Sequence, residues 1–179
     1  MKKKLVALAI IIATIILDQA TKIAILYKVT NYIPLYGLHT EITEPVRFIY
    51  NLIDGAFAIS MSWNTGTAFS LFGGLGASFP TIIMLLTGGV ICYLLYYLFS
   101  HAKRYEFVGI SLIIGGALGN LIDRIRFGAV IDFLDFHIGG WHWPAFNMAD
   151  IFITVGIGWY LLNMYLAHRQ CLKATKGEK

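Results

Sequence analysis

The residues of this chain best suited to chemistry are its acids. Asp132 stands in Val130-Ile131-Asp132-Phe133-Leu134-Asp135-Phe136, and Asp150 in Asn147-Met148-Ala149-Asp150-Ile151-Phe152. Both are flanked by apolar side chains. Two carboxylates that share a site repel each other, so one pKa rises and the pair holds a single proton. One member can then take a proton from water while the other gives one to a carbonyl oxygen. A low local dielectric strengthens that coupling. The pairing of Asp132 with Asp150 is the favoured one, but residue types alone leave other pairings open. Asp123 has Arg124 as its neighbour and reads more naturally as half of a structural ion pair.

Other chemistries have less to work with. There is no HExxH zinc-protease signature and no GxSxG elbow, and no lysine follows a phosphate-cradling glycine loop. Cys92 and Cys171 have neither disulfide-framework nor metal-ligand spacing. No metal or organic cofactor is therefore expected. The histidines, His39, His101, His137, His142 and His168, are scattered. His137 and His142 lie near the acids and read as interfacial residues rather than bases. Gly139-Gly140 before Trp141-His142-Trp143 reads as a glycine turn with interfacial tryptophans.

These acids must be positioned by elements that live in lipid. The chain has 179 residues, 58% hydrophobic and 13% charged, with mean hydropathy +0.69. Soluble domains carry roughly 25% charged residues. A membrane-crossing helix needs about 20 mostly apolar residues, and four stretches qualify: about 5–27, 77–99, 107–125 and 146–167. The expected fold is mainly α, a single membrane domain built as a four-transmembrane-helix bundle. Met1-Lys2-Lys3-Lys4 before an apolar run resembles a signal peptide. The run is long, lacks a small-x-small end and carries Asp18 and Lys22, so it reads as a retained span.

The formal charge of +4 does not call for nucleic acid, because the basic residues sit at segment ends. Nine of the 14 Lys and Arg residues fall on the side of the two termini and of the 103–104 connection; Lys22, Lys28, Arg47, Arg124 and Arg126 fall on the other. The positive-inside rule then puts both termini in the cytoplasm. Two outer connections follow, a long one at about 28–76 and a shorter outer loop at about 126–145. The polar tail 168–179 is cytoplasmic and expected to be disordered. In the long connection, Asp54-Gly55 separates the β-prone runs Phe48-Ile49-Tyr50-Asn51-Leu52-Ile53 and Ala56-Phe57-Ala58-Ile59-Ser60-Met61-Ser62-Trp63, which is a hairpin signal. A small extracytoplasmic β-sheet is expected there, with turn residues Pro34 and Gly37 before it and Glu41 and Glu44 adding acids to that face.

Ionisable residues inside spans are costly and need partners. Asp18 and Lys22 are four apart on one helical face and can pair. Gly115-Gly116-Ala117-Leu118-Gly119 allows close helix packing. Competing readings are a small transporter with proton-relaying acids, an assembly subunit that uses its charges only to pair helices, and a membrane phosphatase. The first would spread acids through the membrane depth, whereas here they gather near one face. The last would need clustered Arg, Lys and His.

Five stretches occur together in order: Asp18-Gln19-Ala20-Thr21-Lys22, Asn64-Thr65-Gly66-Thr67-Ala68-Phe69, Gly115 through Arg124, Val130-Ile131-Asp132-Phe133 and Phe146-Asn147-Met148-Ala149-Asp150. In this the chain resembles bacterial lipoprotein signal peptidase, signal peptidase II. The resemblance implies an aspartic endopeptidase of the inner membrane that cleaves prolipoproteins just before the lipid-modified cysteine. It implies Asp132 and Asp150 as the catalytic dyad and Asn64, Asn120, Arg124 and Asn147 as substrate-binding or supporting residues. Asp18, Lys22 and Asp123 match motif positions with structural roles. It also implies an extracytoplasmic β-cradle, a short outer helix over the site, membrane lipid as a partner, and no cofactor. A monomer is expected. Thr67 and Ile131 are small departures that leave the dyad unaffected.

Overall fold

In the computed structural model, residues 2–30, 47–65 and 79–177 are described. Pro34, Gly37, Glu41 and Glu44, and positions 66–69 of the second motif, lie outside them. The elements run α1 (Lys2–Thr30), β1 (Arg47–Ile53), β2 (Phe57–Asn64), α2 (Phe79–Ser100), α3 (Phe107–Phe127), β3 (Val130–Ile138), β4 (Trp141–His142) and α4 (Met148–Gly177).

All four helices are long and apolar enough to cross a bilayer. Their outward faces carry exposed apolar side chains such as Leu5, Ile16, Leu85, Leu86, Tyr93, Leu161 and Leu162. In water that surface would be a liability; against lipid it is the solvated face. The chain is accordingly a multi-pass membrane protein. α3 is the central helix and packs on α1, α2 and α4. Lipid tails are as apolar as leucine, so helices in a bilayer associate through close packing and polar contacts. The glycines of α3 supply the first. A Cβ on Gly116 would lie 2.5 Å from the Ala149 carbonyl oxygen of α4, and one on Gly119 would strike the Asp18 carboxylate of α1.

α4 continues through residues 168–177, where composition suggests disorder. The helical hydrogen-bond ladder propagates there into a polar segment once the apolar part has nucleated it.

The Asp54-Gly55 signal holds: β1 and β2 form an antiparallel hairpin closed by Ala56 N–H to Ile53 O at 3.1 Å. The segment 126–145 is different from a loop or short helix. It holds β3 and β4, which join β1 and β2 in one antiparallel sheet of order β1-β2-β3-β4. The β-branched and aromatic residues of 130–138 suit a strand, and β2 offers it an otherwise unpaired edge. No short helix occurs among the described residues of that segment. α3 ends at Gly128, whose positive φ of 74° and N–H to Arg124 O turn the chain directly into β3. Leu26, Met61, Phe127, Ile131 and Phe133 form an apolar cluster that seats the sheet on the ends of α1 and α3.

Candidate active site

Strand parity sorts the acids of β3. Asp132 and Asp135 are three residues apart, so their side chains leave opposite faces. Ile131 and Phe133 belong to the apolar cluster, while Asp132 is buried, 2% exposed, on the other face of the strand.

Asp150 comes from the first turn of α4, and its placement follows from helix capping. Asn147 caps the helix: its Oδ1 accepts the Asp150 N–H at 3.2 Å, and Asp150 Oδ2 accepts the Asn147 N–H at 3.1 Å. This reciprocal capping box satisfies two otherwise orphaned backbone donors and fixes the Asp150 rotamer. It also commits the Asn147 oxygen, so the Asn147 amide nitrogen is the group left to reach across. Nδ2 donates to Asp132 Oδ1 at 2.6 Å and to Asn120 Oδ1 at 3.1 Å. Asn120 then donates its own Nδ2 to Asp150 Oδ1 at 2.9 Å. Asn64, at the end of β2, donates to Asp132 Oδ2 at 2.9 Å. Every carboxylate oxygen of Asp132 and Asp150 thus has an amide donor, and two asparagines connect the acids.

The orientation of Asn120 is set from below. Lys22 can only donate, and its Nζ lies 2.8 Å from Asn120 Oδ1, so the Asn120 amide nitrogen must face Asp150. Lys22 Nζ also sits 2.9 Å from both Asp18 Oδ2 and Asp123 Oδ2. All three side chains are essentially inaccessible. Gln19 Nε2 donates to Asp123 Oδ1 at 2.9 Å and to Asp18 Oδ2 at 3.2 Å. Asp18 Oδ1 accepts the Ala149 N–H at 2.9 Å, at the positive end of α4. Asp123 Oδ2 accepts the Ile131 N–H at 3.3 Å. The partner of Asp123 is therefore Lys22 rather than its neighbour Arg124. Residues i and i+1 on a helix point about 100° apart, and Asp123 faces α1.

Arg124 is half-buried, and its charge acts on Asp132, Asp150 and Asp123. Burial raises the Asp132 pKa to about 6 from an ordinary value of 3.8. The Asp150 charge pushes the same way, while the hydrogen bonds from Asn64 and Asn147 and the Lys22 charge pull against it. Asp150 is half-exposed and lines a cleft of about 440 Å³ with Trp143, Phe146, Ile151, Thr154 and Val155. The cleft wall is mostly apolar, with a carboxylate at its edge.

The structure brings Asp132, Asp150, Asn64, Asn120 and Asn147 into one hydrogen-bonded net. Arg124 stands beside it, and Asp18, Lys22 and Asp123 form an adjoining ion cluster. Sequence reasoning overlooked Gln19 as a member of that cluster and the capping box itself. Asn147-x-x-Asp150 ahead of an apolar run carried that signal. Trp143 and Phe146 as cleft walls had no sequence signal beyond aromatic character.

A family model and the named relatives agree on one family. The family model described as "Signal peptidase (SPase) II" matches residues 10–166. A protein named lipoprotein signal peptidase from Anaplasma phagocytophilum (strain HZ) is 41% identical over 175 residues, 97% of this chain and 100% of that one. One of the same name from Burkholderia thailandensis is 41% identical over 152 residues, 83% of this chain and 81% of the relative. A bacterial membrane enzyme solved by the in meso method at 1.9 Å resolution is 28% identical. It superposes with a TM-score of 0.66 over 89% of this chain and 92% of that one.

Proposed function

The chain belongs to the signal peptidase II family, and from that premise we propose that it is an aspartic endopeptidase which removes the signal peptide from diacylglyceryl-modified prolipoproteins, cutting before the lipidated cysteine. The observation that carries the reading is the amide-linked pair Asp132 and Asp150, one buried and one opening on an apolar cleft. The substrate is itself a membrane helix with acyl chains, and it enters laterally. Lipid offers an unwound peptide no hydrogen bonds, so the polar net must supply them.

Asp132, the more buried acid, holds the shared proton. Asp150 takes a proton from water as the water oxygen attacks the scissile carbonyl carbon, and Asp132 gives its proton to the carbonyl oxygen. Collapse of the gem-diol returns a proton to Asp132. Asp150 then passes its proton to the departing amine, and the pair ends as it began. The asparagines hold both carboxylates in place throughout, and the Arg124 charge acts on both from beside them. The site faces the outer side of the bacterial inner membrane, with both termini cytoplasmic, as the lysine and arginine bias favours.

The test uses purified full-length protein in detergent with a diacylglyceryl-modified prolipoprotein. Cleavage before the modified cysteine, unaffected by EDTA and lost in both Asp132→Asn and Asp150→Asn, is expected. Ordinary turnover by either folded variant would overturn the dyad.

A further inference from the structure

β3 and β4 carry a second group of ligating side chains, on the face of the sheet opposite Asp132. Asp135 and His137 are two residues apart on β3 and so share a face. His142 on β4 is the direct cross-strand partner of His137. The three residues are thereby stacked by register alone, and the Gly139-Gly140 turn, with φ of 57° and 84°, closes the hairpin between them.

The side-chain geometry follows. His142 Nδ1 lies 2.9 Å from Asp135 Oδ1 and 3.0 Å from Oδ2. His137 Nδ1 lies 4.0 Å from Asp135 Oδ2, too far for a hydrogen bond. The two imidazoles stack at 4.9 Å between centroids. One ligand atom from each residue falls within 4.8 Å of the other two. Ligands bound to one zinc ion at about 2.0–2.2 Å stand roughly 3.3 Å apart in a tetrahedron, so small side-chain rotations bring all three onto it.

One atom is otherwise unexplained. His137 Nδ1 is buried and has no hydrogen-bond partner among the described residues. A buried ring nitrogen without a partner is unusual, and a cation is one of the few things that satisfies it. His142, by contrast, is 54% exposed, which leaves a route for an ion and room for a water in the fourth position.

We propose that Asp135, His137 and His142 form a site for a borderline divalent transition cation of the Zn²⁺ class. Two imidazoles and one carboxylate suit zinc better than calcium or magnesium, which prefer all-oxygen shells. On binding, the Nδ1 proton of His142 is released to solvent or moves to Nε2, and the lone pair of Nδ1 goes to the metal. The site is separate from hydrolysis, and no step of the dyad passes through it. It would tie β3 to β4 next to Trp143, whose N–H bonds Phe136 O at 2.7 Å and whose ring lines the cleft.

The experiment is a Zn²⁺ titration of the purified full-length protein at pH 7.5 against a chromophoric chelator. One equivalent is expected to bind with micromolar affinity, weakening at least tenfold in each of His137→Ala and His142→Ala. The double variant His168→Ala/Cys171→Ser, which alters a histidine and a thiol three residues apart on α4, should bind as the parent does. Monodispersity and thermal midpoint confirm that each variant is folded. No stoichiometric binding below 100 µM, or unchanged affinity in folded His142→Ala, would overturn the proposal.

Discussion

Two carboxylate pairs are linked through Lys22 and Asn120 in this bundle, and their surroundings differ. Asp18 and Asp123 have an ammonium between them, with Lys22 Nζ 2.9 Å from each. Asp132 and Asp150 are hydrogen-bonded by amides, those of Asn64, Asn120 and Asn147, and the Arg124 charge acts on them from beside the net. A cation set between two carboxylates supplies charge where the amides supply only hydrogen bonds. Amide donors orient carboxylates without supplying charge, which suits the shared proton of the proposed mechanism. The first arrangement makes a joint between α1, α3, the start of α4 and β3; the second makes a site. Lys22 bonds to Asn120, so the joint also sets the orientation of the site.

Substitutions should separate the two. The largest effect belongs to the amide-lined pair: Asp132→Asn and Asp150→Asn should each lower kcat by about 10³-fold or more, in the range acid–base groups contribute. Unfolding in detergent should change little, because the shape survives and the amide hydrogen bond lost to the new NH2 is offset by removal of a buried charge. Lys22→Met should do the reverse. It leaves two buried carboxylates without their cation and should cost about 3–5 kcal/mol of stability. The triple variant Asp18→Asn/Lys22→Met/Asp123→Asn should recover most of that. If Lys22→Met instead kept full stability and lost only turnover, the division between joint and site would be wrong.

Asn147→Ala probes the boundary. It removes the cap, worth about 1 kcal/mol, and also the amide bridging Asp132 to Asn120. A drop in kcat of about 10–100-fold with a small fall in thermal midpoint is expected. The smallest effect is in the pH profile. In the proposed mechanism Asp132 carries the proton, and its pKa is raised to about 6, so kcat/KM of the free enzyme should fall as pH rises through that value. Asn64 stabilises the ionised form of Asp132, so Asn64→Ala should move the break to higher pH. A break displaced to lower pH would contradict that placement of the proton.

Much of this was legible from the chain alone, and the reason is locality. A span is an uninterrupted apolar run, a hairpin is Asp-Gly between β-prone runs, and Asp18 with Lys22 is one helical turn; each reads within a few residues. The ordered motifs added the family resemblance. The tertiary structure decided who meets whom. Lys22 to Asn120 spans 98 positions, Gln19 to Asp123 spans 104, and Asp18 to Ala149 spans 131. Asp123 turned from its neighbour Arg124 to a lysine on another helix, and segment 126–145 became two strands because β2 offered an edge. His137 and His142 became neighbours only when β4 folded back on β3. Hydropathy and local propensity specify elements, but a hydrogen bond between elements depends on their register and facing, which exist only once the helices have packed.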